Sequence, residues 1–315
     1  YHSVVEKTDH ISVCSSGDNR NGFLFALPWI IGFICFSIIP LATSFYYSFT
    51  SFNPVKDPVW VGLDNYKYVL NDPLTYKALG NTLFMAFVST PVNLFVALVL
   101  ASLLNKSFRG RGVARTIFFM PSVIPMVAAT MVWIWMFDPT YGYINRVLSW
   151  FGINGPSWLV DPNYTKWALV LMGTWNVGTT MLVCLAALQE VPRSYYESAE
   201  IDGANAFVRF FRITLPCVAP VIVYQAILNI INAFQYFTQV YVIINASSGG
   251  GSSDVSGGPA NSILMYPLHL FNTAFSFMKM GRASAMAWIL FVIVGLLTVV
   301  MTTLSKKVND NAGGE

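Results

Sequence analysis

Charge is what this sequence has least of. Of 315 residues, 18 are Lys or Arg and 15 are Asp or Glu, 10% in all, where a typical soluble domain carries about 25%. That deficit, with 55% hydrophobic residues and a mean hydropathy of +0.56, excludes an ordinary soluble globule and points to the membrane class. Cysteine is sparse as well. Cys14, Cys35, Cys184 and Cys217 have no metal-ligand spacing, and three lie in or beside apolar runs. They read as small packing residues, with neither a metal site nor a disulfide framework. The three histidines, His2, His10 and His269, are scattered outside the apolar runs, so a membrane-embedded catalytic cluster is not expected. No Gly-x-x-x-x-Gly-Lys-Ser/Thr occurs, which excludes nucleotide binding by that loop. No basic, aromatic-interleaved stripe lies outside the apolar runs, so nucleic acid is not an expected partner. Residues 1–21 mix both charge signs and do not read as a cleavable signal.

What is present is long apolar runs. A spanning helix needs about 20 mostly apolar residues, because each adds about 1.5 Å across a core about 30 Å thick. Six stretches qualify: 22–50, 79–104, 116–137, 167–189, 215–245 and 284–304. Pro40, Pro91, Pro121 and Pro125 fall inside them and predict kinks or breaks. The expected class is an all-α integral membrane protein with six transmembrane helices. It divides into a tail at 1–21, a membrane domain at 22–304 and a second tail at 305–315.

The sequence of 105–115 holds Lys106, Arg109, Arg111 and Arg115 and no acid. Cytoplasmic loops concentrate Lys and Arg, so this loop is expected inside. Alternation then places both termini and the 190–214 loop in the cytoplasm. Trp60, Trp133, Trp135, Trp158 and Trp167 fall near the opposite ends of the spans, as interfacial aromatics would. Lys279 and Arg282, close to the last span, run against this assignment. Residues 246–259 form a Gly/Ser-rich, low-complexity connection on the outer side.

The 190–214 loop reads as two short helices broken at Gly203. Ser194 is an expected N-cap with Glu197 at capping-box distance, and Gly203 can supply the positive φ that ends a helix. Phe207, Phe210, Phe211 and Ile213 form an apolar face expected to bury itself against neighbouring helix ends. The first helix stands free. It is either a plain connector or a pre-folded helix for a partner's groove.

The fifth run carries Gln225, Asn229, Asn232, Tyr236 and Gln239 at steps of 4, 3, 4 and 3, with Gln235 close by. They share one helix face. Neutral amides and a phenol suit an uncharged, hydroxyl-rich ligand. The other reading is interhelical hydrogen bonding, about 0.6 kcal/mol per contact. Trp175, Asn176, Thr179 and Thr180 offer a second set in the fourth run, where Gly173 and Gly178 permit close approach or unwinding. Gly281 with Ala285, and Ala283 with Ala287, are small-xxx-small pairs that favour close packing, within the chain or against a second subunit. No ionised residue lies within the runs' polar stripes, which argues against an ion-coupled secondary transporter.

Glu197-Ser-Ala, then Gly203, then Ile213-Thr-Leu-Pro216 resembles the EAA motif of ABC importer permeases in every spacing, with Ser198 in place of the second alanine. The longer string from Tyr196 to Ala204 resembles the carbohydrate-uptake branch. So do Gly62-Leu-Asp-Asn-Tyr66, Arg115-Thr-Ile-Phe-Phe-Met-Pro121, Phe137-Asp-Pro139 and Gly281-Arg-Ala-Ser-Ala285, in order. The Gly/Ser tract is longer than that family's usual Gly-Gly-Pro connection.

The resemblance implies a coupling helix at 194–202 that docks on a partner ATPase through Tyr196, Glu197, Ser198, Ala199, Asp202 and Gly203. It implies a substrate pathway drawn from Asn229, Asn232, Tyr236, Gln239, Trp175, Asn176 and Thr179. No cofactor is expected on this chain, since ATP and Mg belong to the ATPase. The implied partners are an ATPase dimer, a second permease forming a heterodimer, and an extracytoplasmic solute-binding protein. The implied ligand is a sugar or oligosaccharide, imported across a bacterial plasma (inner) membrane. A glycerol-phosphate or acidic oligosaccharide would instead call on Lys279, Arg282 and Arg146.

Overall fold

In a computed structural model of the chain, residues 16–247 and 257–313 are described. Most of the Gly/Ser-rich connection, residues 248–256, lies outside them, as does Cys14. Among the described residues four helices are long and apolar enough to cross a bilayer: Phe23–Ser48, Pro73–Asn105, Ala206–Ala246 and Met280–Lys306. Two bent pairs, Arg111–Val123 with Met126–Met136 and Pro162–Trp175 with Gly178–Glu190, bring the number to six when each pair counts as one crossing. In chain order these are the first to sixth spans.

The largest departure from the hydropathy reading is the third span. It is not one helix over 116–137: its two legs meet at 99°. Met120–Val123 tightens into a 3-10 turn, and Ile124 and Pro125 are extended at ψ 131° and 133°. Pro125 forces this, since the residue before a proline is pushed out of the helical region. The fourth span bends by 51° at Asn176 and Val177. The fifth is interrupted after Phe234, where Gln235 caps the helix at φ −105°, and resumes at Thr238. The second span carries a π turn at Met85–Ser89.

Among the described residues the all-α expectation holds apart from one antiparallel hairpin after the first span. Strands β1 (Thr50–Asn53) and β2 (Lys56–Trp60) pair Thr50 with Trp60. Asn53 Oδ1 accepts the Val55 N–H at 3.1 Å, an Asx turn that reverses the chain. The Asn65 amide donates to the carbonyls of Ser48 and Thr50 at 2.9 and 2.8 Å, satisfying acceptors that the end of the first span leaves open. A Cβ on Gly281 would fall on the Thr50 carbonyl oxygen. The sixth span therefore approaches the hairpin directly at glycine. Ala283 and Ala285 beside it are buried within the chain, so the small-residue pattern serves packing inside this subunit.

The core lies between the second, fourth and fifth spans and the helix Tyr266–Phe271. Polar stitches fix that helix. The Asn81 amide donates to the carbonyls of Asn261 and Leu264, both at 2.9 Å. Thr82 Oγ1 accepts the Tyr266 N–H at 2.9 Å, and the Tyr266 hydroxyl donates to the Met286 carbonyl at 2.9 Å. Such bonds hold helices together where lipid removes the hydrophobic incentive to pack.

Candidate functional site: a cavity at the helix breaks and an exposed helix

The irregular points of four spans meet around one cavity of about 650 Å³. Met85 and Ser89 come from the π turn of the second span, and Pro121 and Met126 flank the break in the third. Trp175 and Asn176 stand at the bend of the fourth, and Gln235 and Tyr236 in the interruption of the fifth. Non-helical backbone at membrane depth is tolerated where it is buried in protein or lines a cavity. Broken helices placed this way are a usual means of building a midplane binding site.

All seven pathway residues named from the sequence line this cavity: Asn229, Asn232, Tyr236, Gln239, Trp175, Asn176 and Thr179. Their placement differs in one respect. The stripe is not carried on a single helix, because Tyr236 sits in the interruption and Gln239 on the following helix, Thr238–Ser247. The bend still turns both inward. Gln239 Nε2 donates to Met126 Sδ at 3.0 Å, joining the second legs of the third and fifth spans.

No lining residue carries a formal charge. Lys279 and Arg282 lie elsewhere: Lys279 stands 5.9 Å from the Phe277 ring and Arg282 3.7 Å from the Tyr68 ring. Arg146 lines a separate pocket of about 490 Å³ with Tyr141 and Asn145.

Of the wall residues that escaped the sequence reading, two shape the cavity closely. Asn93 in the second span donates to Ser89 Oγ at 3.3 Å, while its Oδ1 is buried without a partner. A Cβ on Gly173 would come within 3.1 Å of the Asn93 amide nitrogen, so glycine makes the room that this side chain uses. The available signal was Ser89 and Asn93, polar residues four apart in an apolar run. Trp133 is the other. It was expected at the interface but is only 7% exposed, packed edge-on to Trp175 at 5.9 Å and against Phe137 at 5.1 Å. The 99° bend rotates it out of the lipid-facing position that a straight span would give it.

The second candidate element is the helix Arg193–Ile201. Ser194 does not cap it. Pro192, extended at ψ 134°, precedes the first turn, and no side-chain cap forms. Proline presets φ, and the helix therefore begins one residue before the expected cap. The far end follows expectation. Gly203 has φ +75°, its N–H bonds the Glu200 carbonyl at 3.1 Å, and the Ala204 N–H bonds the Ala199 carbonyl at 2.9 Å. This is a Schellman motif, in which glycine is favoured by its positive φ.

Asn205 then caps the next helix, accepting the Val208 N–H at 2.9 Å. The expected short second helix is instead the leading turn of the fifth span. Its aromatic face is not buried: Phe207 is 71% exposed, with its ring tilted against that of Phe211 at 4.5 Å. No helix end among the described residues covers it.

Two contacts hang the helix Arg193–Ile201 from the fifth span: the Tyr196 hydroxyl with Thr214 Oγ1 at 2.9 Å, and Glu200 with Arg209 at 3.4 Å. Glu197, Ser198, Asp202 and Gly203 are exposed, Ala199 is half-buried, and Ile201 is 88% exposed.

A helical bundle of six membrane crossings, with an uncharged cavity where its helices break, belongs to the class of membrane permeases. The chain is a member of the binding-protein-dependent transport system inner membrane component family, whose pattern residues 93–310 match. It is similar to the probable ABC transporter permease protein YesP of Bacillus subtilis, 40% identical over 292 residues, covering 92% of this chain and 91% of that one. It is also similar to the trehalose/maltose transport system permease protein MalF of Thermococcus litoralis, 34% identical, covering 92% and 95%. Its fold matches a chain of a bacterial ABC transporter for the acidic polysaccharide alginate, also crystallised with an alginate pentasaccharide-bound periplasmic protein. The TM-score is 0.74 at 20% identity, over 92% of this chain and 96% of that one. The protein is thus a multi-pass inner-membrane transport subunit.

Proposed function

We propose that this chain is one permease half of an ATP-driven importer that passes an uncharged, hydroxyl-rich carbohydrate through the cavity between its broken helices. The observation that carries the reading is a wall rich in amides, hydroxyls and aromatic rings with no charge among its residues. Amides both donate and accept, and rings give apolar faces for the C–H side of a sugar. Asn229, Asn232 and Tyr236 are the foremost contacts. Gln239, Trp175, Asn176 and Thr179 complete the path. The similarity to the MalF permease of a trehalose/maltose transport system supports the substrate class.

The driving force enters at Arg193–Ile201. Glu197, Ser198 and the apolar Ile201 offer a helix face to a groove on a partner ATPase, which holds the ATP and Mg, while Gly203 turns the chain back to the membrane. Closure of two ATPase copies would draw two such helices together and switch the cavity from one side to the other. A second, similar permease completes the complex. The first span supports this, since none of the residues in its apolar window is buried within this chain. An extracytoplasmic binding protein delivers the ligand; the alginate transporter, crystallised in complex with a pentasaccharide-bound periplasmic protein, supports this. Both termini lie in the cytoplasm.

The test is uptake by the complete complex in vesicles, using the carbohydrate that co-purifies with its binding protein. Asn229→Leu and Tyr236→Ala should each lower uptake about tenfold, the equivalent of about 1.4 kcal/mol for one lost contact, with assembly intact. Glu197→Lys should leave ligand delivery intact and abolish coupled ATP hydrolysis. Wild-type uptake in both cavity variants would contradict the pathway, and wild-type coupling in Glu197→Lys would contradict the docking helix.

A further inference from the structure

Two arginines at one rim of the membrane are left without a counter-charge. The second span ends at Asn105, and the third begins with the helix Arg111–Phe119. The turn between them, with the first residues of that helix, holds Lys106, Arg109, Arg111 and Arg115 and no acid. Among the described residues the ion pairs are Lys67 with Asp64, Arg209 with Glu200, and His269 with Asp72. None involves this group.

Arg111 and Arg115 are four residues apart and so lie on one face of the helix. Both are half-buried, and the Nε of each is shut off from solvent with no acceptor among the described residues. Burial of the stem leaves the outer guanidinium nitrogens as the accessible donors. An arginine that enters the edge of a membrane span usually meets a paired group or reaches the polar interface. No such group comes from the described residues.

The surroundings say what does. The opposite face of the same helix is apolar and open: Val113, Ile117 and Met120 are all more than half exposed. The end of the second span packs against this helix and presents exposed Val99 and Leu103, one turn apart. A pair of cations at headgroup level, bordered by lipid-facing side chains, matches an acidic phospholipid in both its parts. Guanidinium groups take phosphate oxygens in a planar, two-pronged geometry, and basic recesses between membrane helices hold anionic headgroups.

We propose that Arg111 and Arg115 form a binding site for the phosphodiester of an anionic phospholipid, at the rim where the second and third spans meet. The site requires only that the chain spans a membrane. It is independent of which solute crosses the cavity.

The experiment uses the full chain in its purified complex, reconstituted in vesicles of phosphatidylcholine or of an equal mixture of phosphatidylcholine and phosphatidylglycerol. Retained lipid is measured after re-extraction and washing in mild detergent. The wild type should keep phosphatidylglycerol over phosphatidylcholine. The double variant Arg111→Gln with Arg115→Gln should lose most of that preference, several-fold or more. Lys106→Gln with Arg109→Gln should keep it, which separates a site from general surface charge. Arg111→Lys with Arg115→Lys keeps the charge but loses the fork, and should fall between.

Equal retention in the Gln pair and the wild type would overturn the proposal. So would displacement of the lipid by inorganic phosphate at low concentration, which would make this a free-phosphate site. If the Gln pair fails to assemble, the wild type still decides. Its preference should weaken as salt is raised during the wash, and a salt-independent preference, or none, would overturn the site.

Discussion

The imidazole of His269 is buried against Asp72, and their contact shows how a single pair can tie two distant parts of the chain. Asp72 caps the second span, its Oδ1 accepting the Leu74 N–H at 3.0 Å. Its Oδ2 accepts from His269 Nε2 at 3.1 Å, which fixes the Nε2–H tautomer of a neutral ring. Burial holds the His269 pKa below its ordinary 6.5, and the hydrogen bond and charge of Asp72 push upward without reversing this. The unfolded chain therefore takes up the proton first. Stability should fall as pH drops through the ordinary histidine range, and level off once the folded-state pKa is passed. Thermal unfolding between about pH 8 and about pH 5 measures this. His269→Gln, which keeps a donor for Asp72, should flatten the slope, and an unchanged slope would contradict the assignment.

In the sequence His269 is only an isolated ring outside the spans, since its partner lies 197 residues away. The amides of the fifth span were legible because helical spacing alone puts them on one face. Asn93 and Trp133 were not, because their roles depend on a glycine opposite and on a bend.

At the level of elements, the breaks make the site, and they were only half legible. Pro121 and Pro125 announced the third-span break. The bend at Asn176 has no proline and depends on tight packing. A Cβ on Gly178 would lie 2.9 Å from the Phe118 carbonyl oxygen and the Phe119 Cα. Both are backbone atoms, so the two bends must separate to admit it. Gly178→Ala should cost about 1–3 kcal/mol and reduce uptake. Gly80→Ala, where a Cβ would meet nothing within 4 Å, should be neutral or stabilise by up to about 1 kcal/mol. Unfolding midpoints of the two variants in detergent compare them directly, and equal effects would contradict the packing argument.

Gly203→Ala is a different case. Space is free there, and the cost, about 1–2 kcal/mol, comes only from the left-handed backbone. The hairpin β1–β2 and the missing Ser194 cap were illegible for a shared reason. Each turns on local geometry, an Asx turn in one and a preceding proline in the other, that weighs little beside strong apolar runs.

At the scale of the whole molecule, the surfaces left open are as informative as the core. No residue in the apolar window of the first span is buried, and Phe207 and Phe211 are exposed beside the suspended helix Arg193–Ile201. These are the surfaces that the assembled importer would cover. The hydropathy pattern and the spacing around Gly203 made the class legible from sequence. Neither the cavity nor the suspension of the helix through Tyr196 and Glu200 could be read there, because both need the fold.

That a cytoplasmic ATPase drives the cavity by gripping the suspended helix is the central proposal. Its most direct test is Ser198→Cys, in a background with Cys14, Cys35, Cys184 and Cys217 replaced, labelled with a membrane-impermeant maleimide. Labelling is expected only from the cytoplasmic side, with strong protection once the ATPase subunits are assembled. Labelling from the outer side, or equal labelling with and without the ATPase, would contradict it.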